Sequence, residues 1–406
     1  MSEWKEVKLG DVVDIGSSKR IFYSEYVKIG IPFYRSKEII ERYKGNEVST
    51  ELFITEAKFN EIKEKFGVPI KDDILLTSVG TLGIPYIVNE ADKFYFKDGN
   101  LTWFKNYTNH ILSLFLYYWI ISPIGKNELE MSSIGSTQAA LTIKGLKGLD
   151  ILLPSLKEQK AITEVLSSLD DKIDLFYRQN KTLESLAQTL FRQWFIEEAD
   201  DKWEVHKLND FISVKHGYAF KGKFITTEKN KQILVTPGNF KIGGGFKTAK
   251  MKYYSEFGYP KEYIFSPNDL TVIMTDLSKE GDTLGYPALI PAHNQEKVSY
   301  LHNQRVGKII FKKTISKYFI YFLMKTDVYQ WYILGGASGT SVRHTSPTSI
   351  CNFSFRVPPM EKIQEFDDKA YELITKIHKN TTQIKTLENM RDTLLPKLMS
   401  GKVRVK

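Results

Sequence analysis

One cysteine, Cys351, stands among 406 residues, so no internal disulfide can form, and with no second Cys and no suitably spaced His it cannot start a zinc site. That scarcity fits a reducing compartment. Long apolar runs are also missing: the longest, Ile111 to Ile121, falls short of the roughly 20 residues a spanning helix needs and reads as a buried helix. Met1-Ser2-Glu3-Trp4-Lys5 carries no apolar core of a secretory signal, so a cytoplasmic protein away from membranes is expected. The usual marks of catalysis are equally sparse. There is no Gly-x-Ser-x-Gly, no His-Glu-x-x-His among the seven His, and no Asn-Pro-Pro-aromatic or Asp-Pro-Pro-aromatic to hold an exocyclic amine. Gly217-Tyr218-Ala219-Phe220-Lys221-Gly222-Lys223 has phosphate-loop spacing, but Phe224 stands where Ser or Thr must hold Mg²⁺. Gly243-Gly244-Gly245 reads as a turn. Glu61-Ile62-Lys63 is the kind of triplet that chance supplies in a charged chain, and it has no counterpart in the other half.

What the chain has is a repeat. Trp4-Lys5-Glu6-Val7-Lys8-Leu9-Gly10-Asp11 is echoed by Trp203-Glu204-Val205-His206-Lys207-Leu208-Asn209-Asp210, an offset of 199. Asp73-Ile74-Leu75 leading to Thr81-Leu82-Gly83-Ile84-Pro85 is echoed by Asp269-Leu270-Thr271 leading to Thr283-Leu284-Gly285-Tyr286-Pro287. From Phe115-Leu116-Tyr117-Tyr118, matched by Phe319-Ile320-Tyr321-Phe322, the offset settles at 204, and Lys181-Thr182-Leu183-Glu184 recurs unchanged as Lys385-Thr386-Leu387-Glu388. The chain is two copies of one unit, each a globular part followed by a helical part: 1–153, 154–199, 200–357 and 358–406.

The globular parts hold short strand-like runs, Ile74 to Val79 and Leu270 to Thr275 among them, broken by Gly, Pro, Asn and Asp and mixed with amphipathic helix; the pattern predicts an α+β fold. In the helical parts, Leu166, Leu169, Ile173, Phe176, Asn180, Leu183, Ala187, Leu190 and Trp194 step alternately by three and four, a heptad seam. Shifted by 204, the seam becomes Ala370, Leu373, Ile377, Asn380, Ile384, Leu387, Arg391, Leu394 and Leu398, with Pro396 and Gly401 expected to close the helix. Antiparallel pairing of positions summing to 560 sets Leu166 against Leu394, Leu183 against Ile377, and Asn180 against Asn380. Two amides meeting in an apolar seam fix register, because any slip strands them against leucines. An intramolecular antiparallel coiled coil separating two similar domains is therefore expected, with two helices packing independently as the alternative.

Polar loops recur at equivalent places. Gly135-Ser136-Thr137-Gln138 corresponds to Gly339-Thr340-Ser341-Val342, which leads on to Arg343 and His344. Ser17, Ser18, Lys19 and Arg20 follow the opening strand of the first half, as His216, Tyr218 and Lys221 do in the second, and Tyr34-Arg35-Ser36-Lys37 adds a basic aromatic loop. Such hydroxyl, amide and cationic groups can contact phosphates and base edges. Any one of them can equally be part of an ordinary solvated turn; the sets carry the expectation.

The architecture and its motifs resemble the DNA-specificity subunit of Type I restriction-modification systems over the whole chain. The resemblance rests on the Trp-x-x-x-x-Leu-x-Asp openings, Gly135 to Gln138, the Pro-containing segments Leu153 to Gln159 and Val357 to Glu361, and the terminal Lys397 to Gly401. The second half departs from the pattern where Glu-Gln becomes Lys362-Ile363 and where Val342 follows Thr340-Ser341. The resemblance implies a non-catalytic reader of double-stranded DNA, each domain meeting half of a bipartite, asymmetric site in the major groove while the helices set the spacing. It also implies docking of two modification subunits, which carry S-adenosylmethionine and methylate adenine, and of restriction subunits that translocate and cleave DNA; no cofactor or metal belongs to this chain. Phe191, Trp194 and Phe195, beyond the needs of a two-stranded seam, are expected to meet the modification subunits, with packing on the domain just downstream as the alternative, above all for Trp194 and Phe195. Two other functions stay open at this level, a two-domain adaptor and a fused methyltransferase-nuclease.

The formal charge of +9 is unevenly spread. Residues 1–153 hold 19 basic and 20 acidic side chains, 154–199 hold 6 and 8, 200–357 hold 22 and 13, and 358–406 hold 10 and 7. The excess belongs almost wholly to the second half. If both domains bind DNA, the second should lose affinity more steeply as salt is raised; equal slopes for the two domains in a salt titration would show net charge to be the wrong guide.

Overall fold

The computed structural model describes residues 4–45, 48–135, 139–248, 251–276, 278, 280–291 and 298–405. Two compact units emerge, Met1–Ile173 with Lys385–Lys406, and Asp174–Ile384. The division cuts through both long helices, because each helix contributes side chains to both units. No helix among the described residues is long and apolar enough to cross a membrane.

The first unit holds two four-stranded sheets and a two-stranded ribbon. Asp14–Gly16, Leu101–Lys105, Ile74–Thr77 and Pro85–Ile87 lie side by side in that order, all antiparallel. Tyr26–Val27, Phe53–Ile54, Ile31–Tyr34 and Tyr95–Phe96 form the other, closing on a parallel pair. Ile74, Leu75 and Leu76 are all fully buried, which is why this run is continuous rather than alternating in hydrophobicity. Between the sheets, Trp103 donates its indole N–H to Asp73 at 2.8 Å. Burial pushes the Asp73 carboxyl up, while the Ile70 amide and Trp103 hold it back. Lys5–Lys8 pairs antiparallel with Asp150–Leu153, so the globular part begins and ends on one ribbon just before the long helix starts.

The second unit repeats the plan: Ile212–His216, Val306–Phe311, Leu270–Ile273 and Pro287–Leu289 follow the same order, and Val205–Lys207 pairs with Ser354–Arg356. Its second sheet gains a strand: Ile225–Thr226, Lys252–Tyr254, Gln232–Val235, Ser299–His302 and Ile264–Phe265. Helix caps recur as well. Thr142 and Ser346, 204 residues apart, each accept the amide three residues on. The fold is α+β, built twice.

The motif beginning at Leu153 has a structural cause. Gln159, fully buried near the start of the helix Leu156–Arg192, accepts the Leu112 amide at 2.9 Å and donates to the carbonyls of His110 and Pro154. One side chain thereby staples the helix to the domain before it. In the second half the equivalent Ile363 is a buried apolar plug at the start of the helix Met360–Met399, so the change from Gln exchanges a polar staple for packing.

Within each unit the two long helices run antiparallel. In the first, Arg391 donates to Asp170 at 2.9 Å, and Asp170 also accepts the Tyr118 hydroxyl at 2.8 Å. Leu166 shares that unit's core with Leu394, Leu395 and Leu398. In the second, the buried Asn380 donates to Asn180 at 3.0 Å and to Gln179 at 3.3 Å, while Asn180 donates to Thr381. Lys325, its side chain 3% exposed and lying over the Tyr321 ring, fastens the domain to Glu184 of the first helix at 2.6 Å.

Two expectations are corrected here. Pro396 does not end the second helix, which continues to Met399; burial of Leu395, Leu398 and Met399 offsets the hydrogen bond that Pro396 cannot make, and Gly401 at φ +66° ends the run. Phe191 and Phe195 are not a docking face. They are 2% and 7% exposed, packed with Phe319 and Phe366 in the second unit's core, and Trp194 is half-buried against Phe195 and Phe366. The first helix widens into a π turn at Gln193–Glu197, and its last aromatic side chains plug the domain that follows.

Asn180→Leu removes an acceptor from the buried Asn380 amide and should cost about 2 kcal/mol, seen as a lower melting temperature. The double change Asn180→Leu with Asn380→Leu should restore stability while admitting shifted disulfide cross-links between cysteines engineered across the seam; unchanged melting and register in both variants would count against the amide as the register device.

Candidate nucleic-acid interface

In the first domain the strand Asp14–Gly16 delivers the chain to Ser17, Lys19 and Arg20, all exposed, with Ser18 half-buried between them. The turn is held from below: the Lys19 amide donates to the Tyr95 hydroxyl at 2.7 Å, and the Gly99 amide reaches the Ser17 hydroxyl at 3.4 Å. Arg20 pairs with Asp98 at 2.7 Å, and the Lys19 ammonium lies 5.3 Å from the Phe66 ring. These side chains stand beside the sheet that ends on Tyr95–Phe96, where phosphate could approach.

Tyr34, Arg35 and Ser36 do different work. Tyr34 is 4% exposed, stacked on Phe94 at 4.3 Å, and accepts a hydrogen bond from Arg42, so it is core and not a contact. Arg35 starts the helix Ser36–Tyr43: its amide and guanidinium both bind Glu38, which is itself fully buried. Ser36 turns its hydroxyl inward. Only Lys37 is exposed, donating to the Ser49 carbonyl at 3.2 Å. Adjacent strand residues point to opposite faces, yet Phe33 and Tyr34 are both buried: this strand is covered on both sides, and Phe94 covers Tyr34. Ser136, Thr137 and Gln138 lie outside the described residues.

In the second domain His216 and Lys221 are exposed and Tyr218 is half-buried among Phe220 and Tyr263. Gly217 must be glycine, because a Cβ there would sit 2.2 Å from the Asn303 carbonyl oxygen. The phosphate-loop spacing is thus the mark of a close backbone crossing. Lys221, Lys223, Lys229, Lys231, Lys241, Lys247, Lys252 and Lys261 are all exposed along the five-stranded sheet and its turns, which locates the domain's positive excess.

The other loop set meets a partner that the sequence reading missed. Arg343–His344 pairs with Thr275–Asp276, and His344 hydrogen-bonds Thr275 at 3.1 Å. Ser341 and His344 are exposed, and the half-buried Arg343 runs its stem toward Gly281. Asp276, 5% exposed, accepts the Ser278 amide at 2.7 Å and both the amide and the hydroxyl of Thr283. Burial opposes ionisation, yet those donors hold the carboxyl below the usual carboxylate range. Asp276 thereby fixes one loop while its strand fixes the other. The Thr283-Leu284-Gly285 echo marked this segment, but the acceptor seven residues upstream shows only in three dimensions. On the long helices, Leu175, Leu186 and Met390 keep apolar surface exposed, unlike Phe191 and Phe195. Among the described residues no group of three or more His, Cys, Asp or Glu is placed to hold a metal.

Behind the His216–Tyr218 turn lies His302, fully buried, its ring 4.4 Å from Phe265, its Nε2 2.8 Å from the Val306 carbonyl and its own carbonyl accepting the Tyr218 amide. Burial pushes its pKa down to about 4, with Lys308 and Lys215 adding to the effect against the Val306 carbonyl and Asp269.

A family model described as the Type I restriction modification DNA specificity domain matches twice, over residues 1–185 and 200–389, each match taking a globular part with most of the helix after it. The chain is similar along its length to the Type I restriction enzyme MjaIX specificity subunit of Methanocaldococcus jannaschii, at 28% identity over 99% of this chain and 94% of that protein. It is 24% identical to the HindI specificity subunit of Haemophilus influenzae, covering 99% of this chain and all of that one. The crystal structure of a Type I S subunit from M. genitalium superposes with a TM-score of 0.59 at 15% identity, covering 97% and 96% of the two chains, a likeness of fold.

The neutral, buried His302 makes stability depend on pH. Its ordinary pKa of 6.5 holds in the unfolded chain, so the stabilisation is complete above that pH and is lost as pH falls toward 4, on the order of 3 kcal/mol. His302→Gln should flatten that part of a melting-temperature profile between pH 7 and 4; parallel profiles for wild type and variant would refute the buried neutral imidazole.

Proposed function

The chain belongs to the Type I restriction modification DNA specificity family, and from that membership we propose how its parts divide the work of reading DNA. Each globular domain reads one half of a bipartite, asymmetric duplex site, using the loop sets around Lys19 and Arg20 in one and around Lys221 and Ser341 to His344 in the other. The observation that carries this reading is one two-sheet plan built twice with different side chains on equivalent loops. Identical loops would read a symmetric site; different ones read two unlike sequences.

The two long helices act as the spacer. Each is continuous across the division between the units, and its pairing is fixed by Asn380 in one unit and by Arg391 with Asp170 in the other. Leu175, Leu186 and Met390 are the candidates for contact with two modification subunits, on which S-adenosylmethionine is bound and adenine is methylated; restriction subunits complete the assembly. The chain itself contributes recognition and no catalysis.

A heptad rises about 10.5 Å along a helix, close to three base pairs at about 3.4 Å each. Inserting seven residues into both helices beside the Asn180–Asn380 contact should therefore lengthen the gap between half-sites by about three base pairs, read by mapping methylated adenines in cells that also express the modification subunit. An unchanged gap in an active complex would sink the spacer role.

A further inference from the structure

Among the described residues, the most exposed pair of neighbouring aromatics sits on the turn just after Lys19 and Arg20. Phe22 is 63% exposed and Tyr23 90%. The turn beneath them is firmly built: Ile21 is buried in a core with Phe33 and Tyr95, the Phe22 amide donates to Glu25 at 2.8 Å, and Glu25 is paired with Lys58 at 2.9 Å. Two rings are therefore held out in water on a rigid support, with one edge contact to Tyr26.

The second domain carries the same turn 199 residues on. The 3₁₀ turns Tyr23–Glu25 and Gly222–Phe224 correspond, as do the strands Tyr26–Val27 and Ile225–Thr226 and the buried plugs Ile21 and Phe220. The closing hydrogen bonds correspond too, from the Glu25 amide to the Phe22 carbonyl and from the Phe224 amide to the Lys221 carbonyl. Phe22 and Tyr23 are thus replaced by Lys221 and Gly222. One backbone device presents two exposed rings in one domain and the exposed Lys221 in the other, where Lys223 lies 4.7 Å from the half-buried Phe224 ring.

We propose that this turn is a DNA-contacting tip in both domains, and that the Phe22–Tyr23 pair meets apolar base surface in the first half-site where Lys221 meets a phosphate in the second. The inference rests on the DNA-reading function proposed above. Duplex DNA is the occupant that fits, because the rings are flanked by exposed Lys19, Arg20 and Lys28, which suit a polyanion and would oppose an apolar protein partner. Rings presented beside cations can contact thymine methyl groups or enter a base step. This also supplies what net charge withholds from the first domain, whose 19 basic and 20 acidic residues give no overall attraction to phosphate.

The test uses the full chain with its modification subunit. Methylation mapping of the wild-type complex gives the site, and binding of a duplex carrying that site is then followed across a salt series. Phe22→Ala with Tyr23→Ala should weaken binding about tenfold or more at every salt concentration, the scale of lost aromatic contact with bases, without changing the salt slope. Lys221→Ala should instead lower the slope of log K against log salt by about 0.9, one phosphate contact. Phe22→Tyr should bind as wild type, and Tyr23→Ala alone, at the most exposed position, decides the matter if the double variant melts early. Wild-type affinity in the alanine variants, or a slope reduced as in Lys221→Ala, overturns the proposal while leaving the DNA-reading function in place. A wild-type complex that leaves no bipartite methylation motif takes down both.

Discussion

Antiparallel pairing of two distant helices is the constraint on which the rest of this structure depends. The second long helix returns the end of the chain to the first domain, where Leu395, Leu398 and Met399 complete a core that residues 1–153 leave open. The first helix likewise ends inside the second domain, with Phe191 and Phe195 as core side chains. The first compact unit is built from two separate stretches of sequence and the second takes in parts of both long helices, so the seam is also part of each domain's foundation. A slip by one heptad would withdraw these apolar side chains along with the Asn180–Asn380 contact, so packing and polar pairing enforce the same register.

The two units use this constraint with different chemistry at equivalent points. A buried Gln159 staples one helix start and a buried Ile363 plugs the other. Arg391 with Asp170 sets the pairing in one unit and Asn380 with Asn180 in the other. The reading loops differ in the same way, apolar rings against lysines on one kind of turn. Conserved backbone geometry with exchanged side chains is what an asymmetric recognition problem requires: the support must be the same and the readout must not.

Legibility from sequence followed the range of the interactions. The repeat, the seam and the placing of Asn180 opposite Asn380 could be written down because heptad spacing is a local property and antiparallel pairing follows by arithmetic. The direction of single side chains could not. Tyr34 reads as a basic-loop aromatic and lies stacked on Phe94; Arg35 reads as a free cation and is committed to Glu38; Phe191 reads as surplus seam surface and packs on Phe319 and Phe366. Each of these was decided by a partner that spacing alone does not identify, whether 3, 60 or more than 100 residues away. Asp276 was missed for the same reason: its carboxylate matters through the donors of Ser278 and Thr283.

Sequence alone determined that the chain is one α+β unit made twice with a helical arm after each copy, since repeats, heptads and turn residues act over short distances and leave periodic traces. Only the tertiary structure decided which exposed groups remain available for DNA. Lys19, Arg20, Phe22 and Tyr23 stay at the surface while Tyr34 and Glu38 do not. Whether a polar or aromatic side chain is a contact or a strut depends on what long-range packing places beneath it, and no local pattern encodes that.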